Sequence, residues 1–240
     1  MRVGLTYNRK QGESEEGSEP PSSRAKVQAE WDDPETIAAV QRALEEHHEV
    51  IPIDAAKDVY DALQKYRPEI VFNMAEGEFG PCREGHVPSI LEYLNIPYTA
   101  SDPLTLNICL DKARAKEILA YHSLPTARFK VVAARNFSFN SLHYPLLVKP
   151  LYEGSSIGIF DNSLVRTRQE MRERVSSLLE RFKEPALVEE FLPGREFTVA
   201  ILGNGEEARV LPIVEIKFDS LPAGVNPIYS FEAKWIWDVS

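Results

Sequence analysis

Strands and helices alternate through the first hundred residues, and that alternation constrains the fold more than any other feature of the chain. "VGLTYN" (3–8) reads as a strand, and "PETIAAVQRALEEH" (34–47) reads as a helix with Ile37, Val40 and Leu44 on one face. Asp33 can cap that helix and Pro34 suits its first turn. "EVIPID" (49–54) is a strand, "VYDALQKY" (59–66) a helix, "EIVFNMA" (69–75) a buried strand, "VPSILEYL" (87–94) a helix and "IPYTAS" (96–101) a strand. Such alternation implies parallel pairing through right-handed crossovers, hence a small doubly wound α/β domain.

Between the first strand and first helix lies "RKQGESEEGSEPPSSRAKVQAEW" (9–31), acidic and without periodicity. It reads as a solvated loop. Because it follows a strand's carboxyl end, where open α/β sheets bind ligands, a lid over a site is the alternative. Beyond residue 101 the pattern changes. "PLTLNICLDKARAKEILAYH" (103–122) reads as one long helix, followed by short strands at 127–132 and 146–150. In "TRQEMRERVSSLLERF" (167–182), Thr167 and Glu170 form a capping box, and Met171, Val175, Leu178 and Phe182 form a buried stripe. "ALVEEFL", "REFTVAILG", "ARVLPIVEI" and "SFEAKWIW" read as strands of an antiparallel second lobe.

The net charge of -10 disfavours a nucleic-acid partner. Two cysteines, Cys82 and Cys109, make no disulfide framework and fit a reducing cytoplasm, with Cys109 expected in the core. No apolar run approaches the ~20 residues that span a membrane.

Chemistry concentrates at "LLVKPLYEGSSIGI" (146–159). Leu146, Leu147 and Val148 mark a buried strand, and the Lys149 ammonium at its end needs an anion. Gly154 and Gly158 allow positive φ, loop amides can converge, and Ser155 and Ser156 add hydroxyls. A fixed strand lysine beneath a movable glycine loop is the division of labour that protein kinases use on phosphates. A lysine that merely snorkels before a serine-rich turn is the plainer alternative. In "LVEEFLPGREFTVAILG" (187–203), a strand-to-turn segment can offer backbone groups to an adenine edge. There Glu196 is placed to accept from ribose hydroxyls, whereas Glu190 reads as solvent-facing.

Taken in order, "IPYTASDPLT", "LDKARAK", "VKPLYEGSSIGI", "LVEEFLPGREFTVAILG" and "FEAKW" resemble the ATP-grasp ligases of the D-alanine–D-alanine ligase branch. The resemblance implies an N-terminal doubly wound domain (1–101), a central ATP-grasp lobe with the glycine loop (102–188) and the start of a C-terminal ATP-grasp lobe (189–240). It implies that Lys112 and Lys149 contact ATP phosphates and that Glu153, Gly154, Ser155, Ser156 and Gly158 close over them. Glu189 would face the adenine, Phe191 and Leu192 would supply the hinge, Glu196 would hold the ribose, and Lys234 would approach the phosphates. Ser155 and Lys234 would be catalytic. Arg83 and Glu84, in "AEGEFGPCREGHVP", match the loop bordering the amino-acid pocket, and Glu35 corresponds roughly to the acid that pairs with an incoming ammonium.

The implied activity is ATP-dependent ligation of two amino acids through an acyl phosphate, in the cytoplasm, with magnesium as co-reactant and a homodimer or a peptidoglycan precursor among its corollaries. Two departures qualify it. Trp235 stands where the family usually has tyrosine, and no Glu-x-Asn metal motif follows Glu196. The metal ligands and an oxyanion-stabilising arginine are thus expected beyond Ser240, so the chain reads as C-terminally truncated and inactive as written. A non-catalytic ATP-binding protein is the alternative; a dinucleotide oxidoreductase is disfavoured because no G-x-G-x-x-G follows any strand.

Overall fold

The computed structural model describes residues 1–10 and 30–237. Most of the acidic 9–31 loop, and with it the lid reading, lies outside the described residues. The described chain falls into two compact units. One comprises the first 126 residues together with Leu151–Ile157, and the other Ala127–Pro150 and the chain from Gly158 onward.

In the first unit β1 (Arg2–Tyr7) lies between β2 (Glu49–Asp54) and β3 (Ile70–Asn73). Both pairings are parallel, with Val3 opposite Val50 on one side and Ile70 on the other. This is the expected doubly wound sheet. Helices α1 (Pro34–Glu45) and α2 (Val59–Tyr66) make the crossovers, and α3 (His86–Tyr93) follows β3. Ile53, Leu63, Val71, Val87 and Leu91 fill the core between sheet and helices. Asn8, immediately after β1, accepts from the amides of Glu76 and Gly77 at 2.9 Å each. That side chain ties the carboxyl ends of β1 and β3 together, where open α/β sheets place ligands.

Three expectations for this unit need correction. Residues 96–101 add only an isolated bridge, Tyr98 to Val71, rather than a strand. Positive φ at Asn95 and Ala100 turns the chain away at both ends of that segment. The single helix over 103–122 is two, α4 (Pro103–Leu110) and α5 (Lys112–Tyr121). Asp111 is extended between them, and its carboxylate accepts from the amides of Ala113 and Arg114, so it caps the second helix and ends the first. Cys109 is exposed, not core.

The second unit centres on a four-stranded antiparallel sheet ordered β4 (Phe129–Val132), β7 (Ala186–Glu190), β5 (Leu146–Pro150), β6 (Leu164–Val165). Helix α6 (Arg168–Phe182) covers one face, where Met171, Val175 and Leu178 meet Leu146, Val148, Ala186 and Val188. The opposite face carries Leu147 and Lys149 beside Leu187 and Glu189, set by the pairing of Leu147 with Glu189 and Lys149 with Leu187. Alternation along two strands thus separates a packing face from a chemical one.

Beyond Glu190 the strands are short. "REFTVAILG" is divided into β8 (Glu196–Thr198) and β9 (Ile201–Leu202), because β8 pairs with β11 (Val214–Ile216) and β9 with β10 (Arg209–Val210). Pro212, which has no amide hydrogen, lies in the gap between β10 and β11. "SFEAKWIW" is not a strand: Ala233–Trp237 forms a π-helical turn. Ser230 starts it, its hydroxyl accepting from Ala233 N and its carbonyl from Lys234 N.

Candidate active site

Each unit assembles its own cluster of the residues singled out by sequence. In the first, Arg83 is the centre. It opens a 3-10 turn (Arg83–Gly85) ahead of α3, and its side chain is only 8% exposed. One Nη donates to the carbonyl of Tyr152 at 2.9 Å, and the other meets Glu30 at 2.7 Å and Glu153 at 3.4 Å. Lys112, the first residue of α5, donates its ammonium to the carbonyls of Leu151 and Glu153. Two cations therefore hold the first half of the glycine loop by its backbone.

The loop also assigns its glycines differently from expectation. Gly154 does not adopt positive φ; Ser155 and Ser156 do, at 46° and 60°. What Gly154 supplies is space, because a Cβ there would come within 2.2 Å of Glu30 Oε1. Left-handed serines are strained, and such strain clusters where a loop must switch shape. The turn is closed by Ile157 N donating to Gly154 O at 2.8 Å.

Four carboxylates surround Arg83: Glu30, Glu76, Glu84 and Glu153. Burial raises Glu84, and Arg83 offsets part of the rise. Burial, reinforced by Glu30 and Glu84, pushes Glu76 up to about 7. A carboxyl so raised keeps its proton in the folded chain after the unfolded chain has lost it at its ordinary 4.5. Stability is therefore fullest below that pH and falls as pH climbs toward 7, by roughly 3 kcal/mol from this group. Urea unfolding at pH 4.5 and 7.5 is expected to show a smaller difference for Glu76→Gln than for the native chain. Identical differences would mean that Glu76 is ionised in the fold.

Glu35 sits exposed in the first turn of α1, with Glu30 rather than Glu35 against Arg83. Sequence reasoning missed Glu30 because it closes an aperiodic segment. Glu76 had a usable signal, since it follows a buried strand's carboxyl end.

In the second unit Lys149 projects from β5 toward Glu189 on β7, Nζ to Oε1 at 2.6 Å. Both side chains are mostly buried, Glu189 at 9% exposure. Glu196 opens β8 and is exposed as a residue. Partial burial of its carboxyl raises it, and the charge of Lys149 offsets part of that. Phe191 is half-buried and donates its amide to Pro145 O at 3.0 Å; Leu192 is exposed. Gly158 takes the left-handed conformation expected of it, φ 72°. Lys234 lies in the π-helical turn, its ammonium 5.2 Å from the centroid of the Trp235 ring.

Each unit thus carries donors of a kind that suits phosphate: the Lys112 ammonium and the serine hydroxyls of the loop in the first, and the Lys149 ammonium in the second. Metal binding is a different matter. Among the described residues no group of three or more His, Cys, Asp or Glu could hold a metal ion. None of the helices described is long and apolar enough to cross a membrane.

The family model "D-ala D-ala ligase C-terminus" matches residues 118–240. A D-alanine–D-alanine ligase of Gluconobacter oxydans is 34% identical over 202 residues, covering 82% of this chain and 62% of that one. One from Bordetella pertussis is 37% identical over 173 residues, covering 71% and 51%. An uncharacterized protein of Sinorhizobium fredii is 33% identical over 215 residues, covering 86% and 62%. The chain thus spans about 62% of the length of the first of these relatives. The crystal structure of the Bacillus anthracis D-alanine–D-alanine ligase complexed with ATP superposes with a TM-score of 0.68 at 23% identity, over 91% of this chain and 66% of that one. With the parallel sheet, the lysine-bearing antiparallel sheet and the glycine loop in place, the chain belongs to the D-ala D-ala ligase C-terminus family of ATP-grasp proteins.

Proposed function

We propose that the chain carries the nucleotide-gripping part of an ATP-dependent carboxylate–amine ligase of the D-alanine–D-alanine type. The observation that carries the proposal is the Lys149–Glu189 pair, set by strand register on the face of the sheet turned away from α6. A buried ammonium already balanced by a carboxylate can meet a phosphate without exposing an uncompensated charge. Family membership and the ATP complex of the Bacillus anthracis relative support the same reading.

On this reading the three-part layout (1–101, 102–188, 189–240) follows the family. Lys112, Lys149 and Lys234 hold phosphates, Ser155 and Ser156 close with the loop, Glu189 and the Phe191–Leu192 backbone receive the adenine, and Glu196 the ribose. Arg83, Glu84 and Glu30 border an amino-acid pocket; Glu35 lies outside that group. ATP would supply the phosphoryl group that activates a carboxylate, and the chain's own residues hold and orient the nucleotide. Magnesium, which the family resemblance implies, meets no group of three or more His, Cys, Asp or Glu among the described residues.

The test is nucleotide titration combined with phosphate release across a panel of amino acids. Saturable ATP binding is expected, together with weaker binding of GTP, because the strand-to-turn backbone is offered to an adenine edge. Equal affinity for both nucleotides would remove the adenine assignment, and no binding of either would remove the function.

A further inference from the structure

Helix α6 buries the stripe Met171, Val175 and Leu178, and in the same stripe it buries an arginine. Arg174 is 5% exposed. An apolar residue would fill that position at no electrostatic cost, and burial lowers the guanidinium to about 10. Its contacts show where the cost is offset. One Nη donates to the carbonyl of Gly158 and, at 3.0 Å, to the hydroxyl of Ser163. That hydroxyl in turn accepts from Phe160 N at 2.9 Å. Arg174 therefore clamps both ends of the turn that leaves the glycine loop. Gly158 itself has no slack: a Cβ would fall 2.5 Å from Pro150 Cγ and 2.7 Å from Phe182 Cζ.

Phe160 links the same arginine to the segment bearing Lys234. Its guanidinium stands 5.7 Å from the centre of the Phe160 ring, which lies 5.9 Å from the Phe231 ring. Phe231 N donates to Ile159 O at 2.7 Å. Glu232 presents a buried Oε2 that has no hydrogen-bond partner, and its charge acts on Arg174. The cation thus joins the middle of α6 to the loop exit (Gly158–Ser163), and Phe231–Lys234 is held to that exit through Ile159 and Phe160.

We propose that Arg174 is a positioning residue for the phosphate end of the nucleotide. It fixes Gly158 as the stationary hinge of the glycine loop and holds the turn that presents Lys234. The proposal rests on the phosphate-holding roles given above to the loop and Lys234. It makes a distinction that a general packing role does not, because only ligands with phosphates should sense Arg174.

The experiment compares ATP and adenosine binding, by titration and competition, in the native chain and in Arg174→Met, Arg174→Lys and Ser163→Ala. Arg174→Met is expected to weaken ATP by about tenfold and to leave adenosine unchanged. Arg174→Lys, which keeps the charge and an ammonium donor, recovers part of the loss. Ser163→Ala removes one acceptor of the clamp at small cost to folding, and is expected to weaken ATP by about threefold. Hydrogen exchange should quicken at Gly158–Ser163 and at Phe231–Lys234 but not at Val175–Leu178. If Arg174→Met does not fold, Ser163→Ala decides. ATP binding that is native-like in the folded variants overturns the inference alone, and so does an equal loss for ATP and adenosine. A native chain that binds no ATP overturns the proposed function and this inference with it.

Discussion

Replacing Lys149 by methionine is expected to weaken ATP binding at least tenfold and to destabilise the fold. A charge-assisted hydrogen bond is worth about 1.5–3 kcal/mol, and loss of one to a phosphate converts to roughly ten- to a hundredfold in affinity. The stability effect has a separate source. Glu189 is 9% exposed and has Lys149 2.6 Å away, so methionine leaves a buried carboxylate without its ammonium. That costs about 2 kcal/mol. The two effects can be separated by adding Glu189→Gln to Lys149→Met. The neutral amide removes the buried charge that Lys149 had faced, so stability should return toward the native value while ATP affinity stays low. Chemical unfolding and nucleotide titration on the three proteins provide the measurements. Recovery of affinity together with stability would show that Lys149 serves the fold and not the nucleotide.

What could be read in advance divides along physical lines. The parallel sheet β2–β1–β3 was legible because its strands are continuous apolar runs separated by amphipathic helices, and those periods leave a record in the sequence. The α6 stripe was legible for the same reason, apart from Arg174. A buried cation breaks no period, since its neighbours at 171, 175 and 178 complete the pattern without it. The misreading of Ala233–Trp237 as a strand has a related cause. "SFEAKWIW" is rich in aromatic and branched residues, and its helical turn is set by hydrogen bonds to Ser230 that no periodicity announces. The break at Asp111 was visible only as a capping residue inside an otherwise helical run. Within the site, Lys149 and its loop could be found from a local motif. The pairing of Arg83 with Glu30 and Glu153 could not, because these residues are brought together from stretches far apart in the chain.

That convergence makes Arg83→Met the substitution with the largest expected effect on stability. The native arginine, 8% exposed, is hydrogen-bonded to both Glu30 and Glu153, and it also anchors the Tyr152 carbonyl. Removing one partner of a buried ion pair costs about 3–5 kcal/mol, a large part of the 5–15 kcal/mol that holds a typical domain together. Here the loss should depend on pH in a particular direction. Glu76 is held near 7 by burial and by Glu30 and Glu84, with Arg83 as the opposing influence. Without Arg83 its carboxyl should rise further, so burying it should be better tolerated in acid, where Glu76 keeps its proton, than at higher pH, where it is driven to ionise. Arg83→Met is therefore expected to lose more stability relative to the native chain at pH 8 than at pH 5. Glu30→Gln in the same background should recover part of the loss at pH 8, because it removes the carboxylate closest to the missing guanidinium. Thermal unfolding of the native, single and double variants at the two pH values measures this directly. A deficit that is the same at both pH values would mean that Arg83 acts through the Tyr152 carbonyl and its packing, with the surrounding carboxylates already balanced by other means.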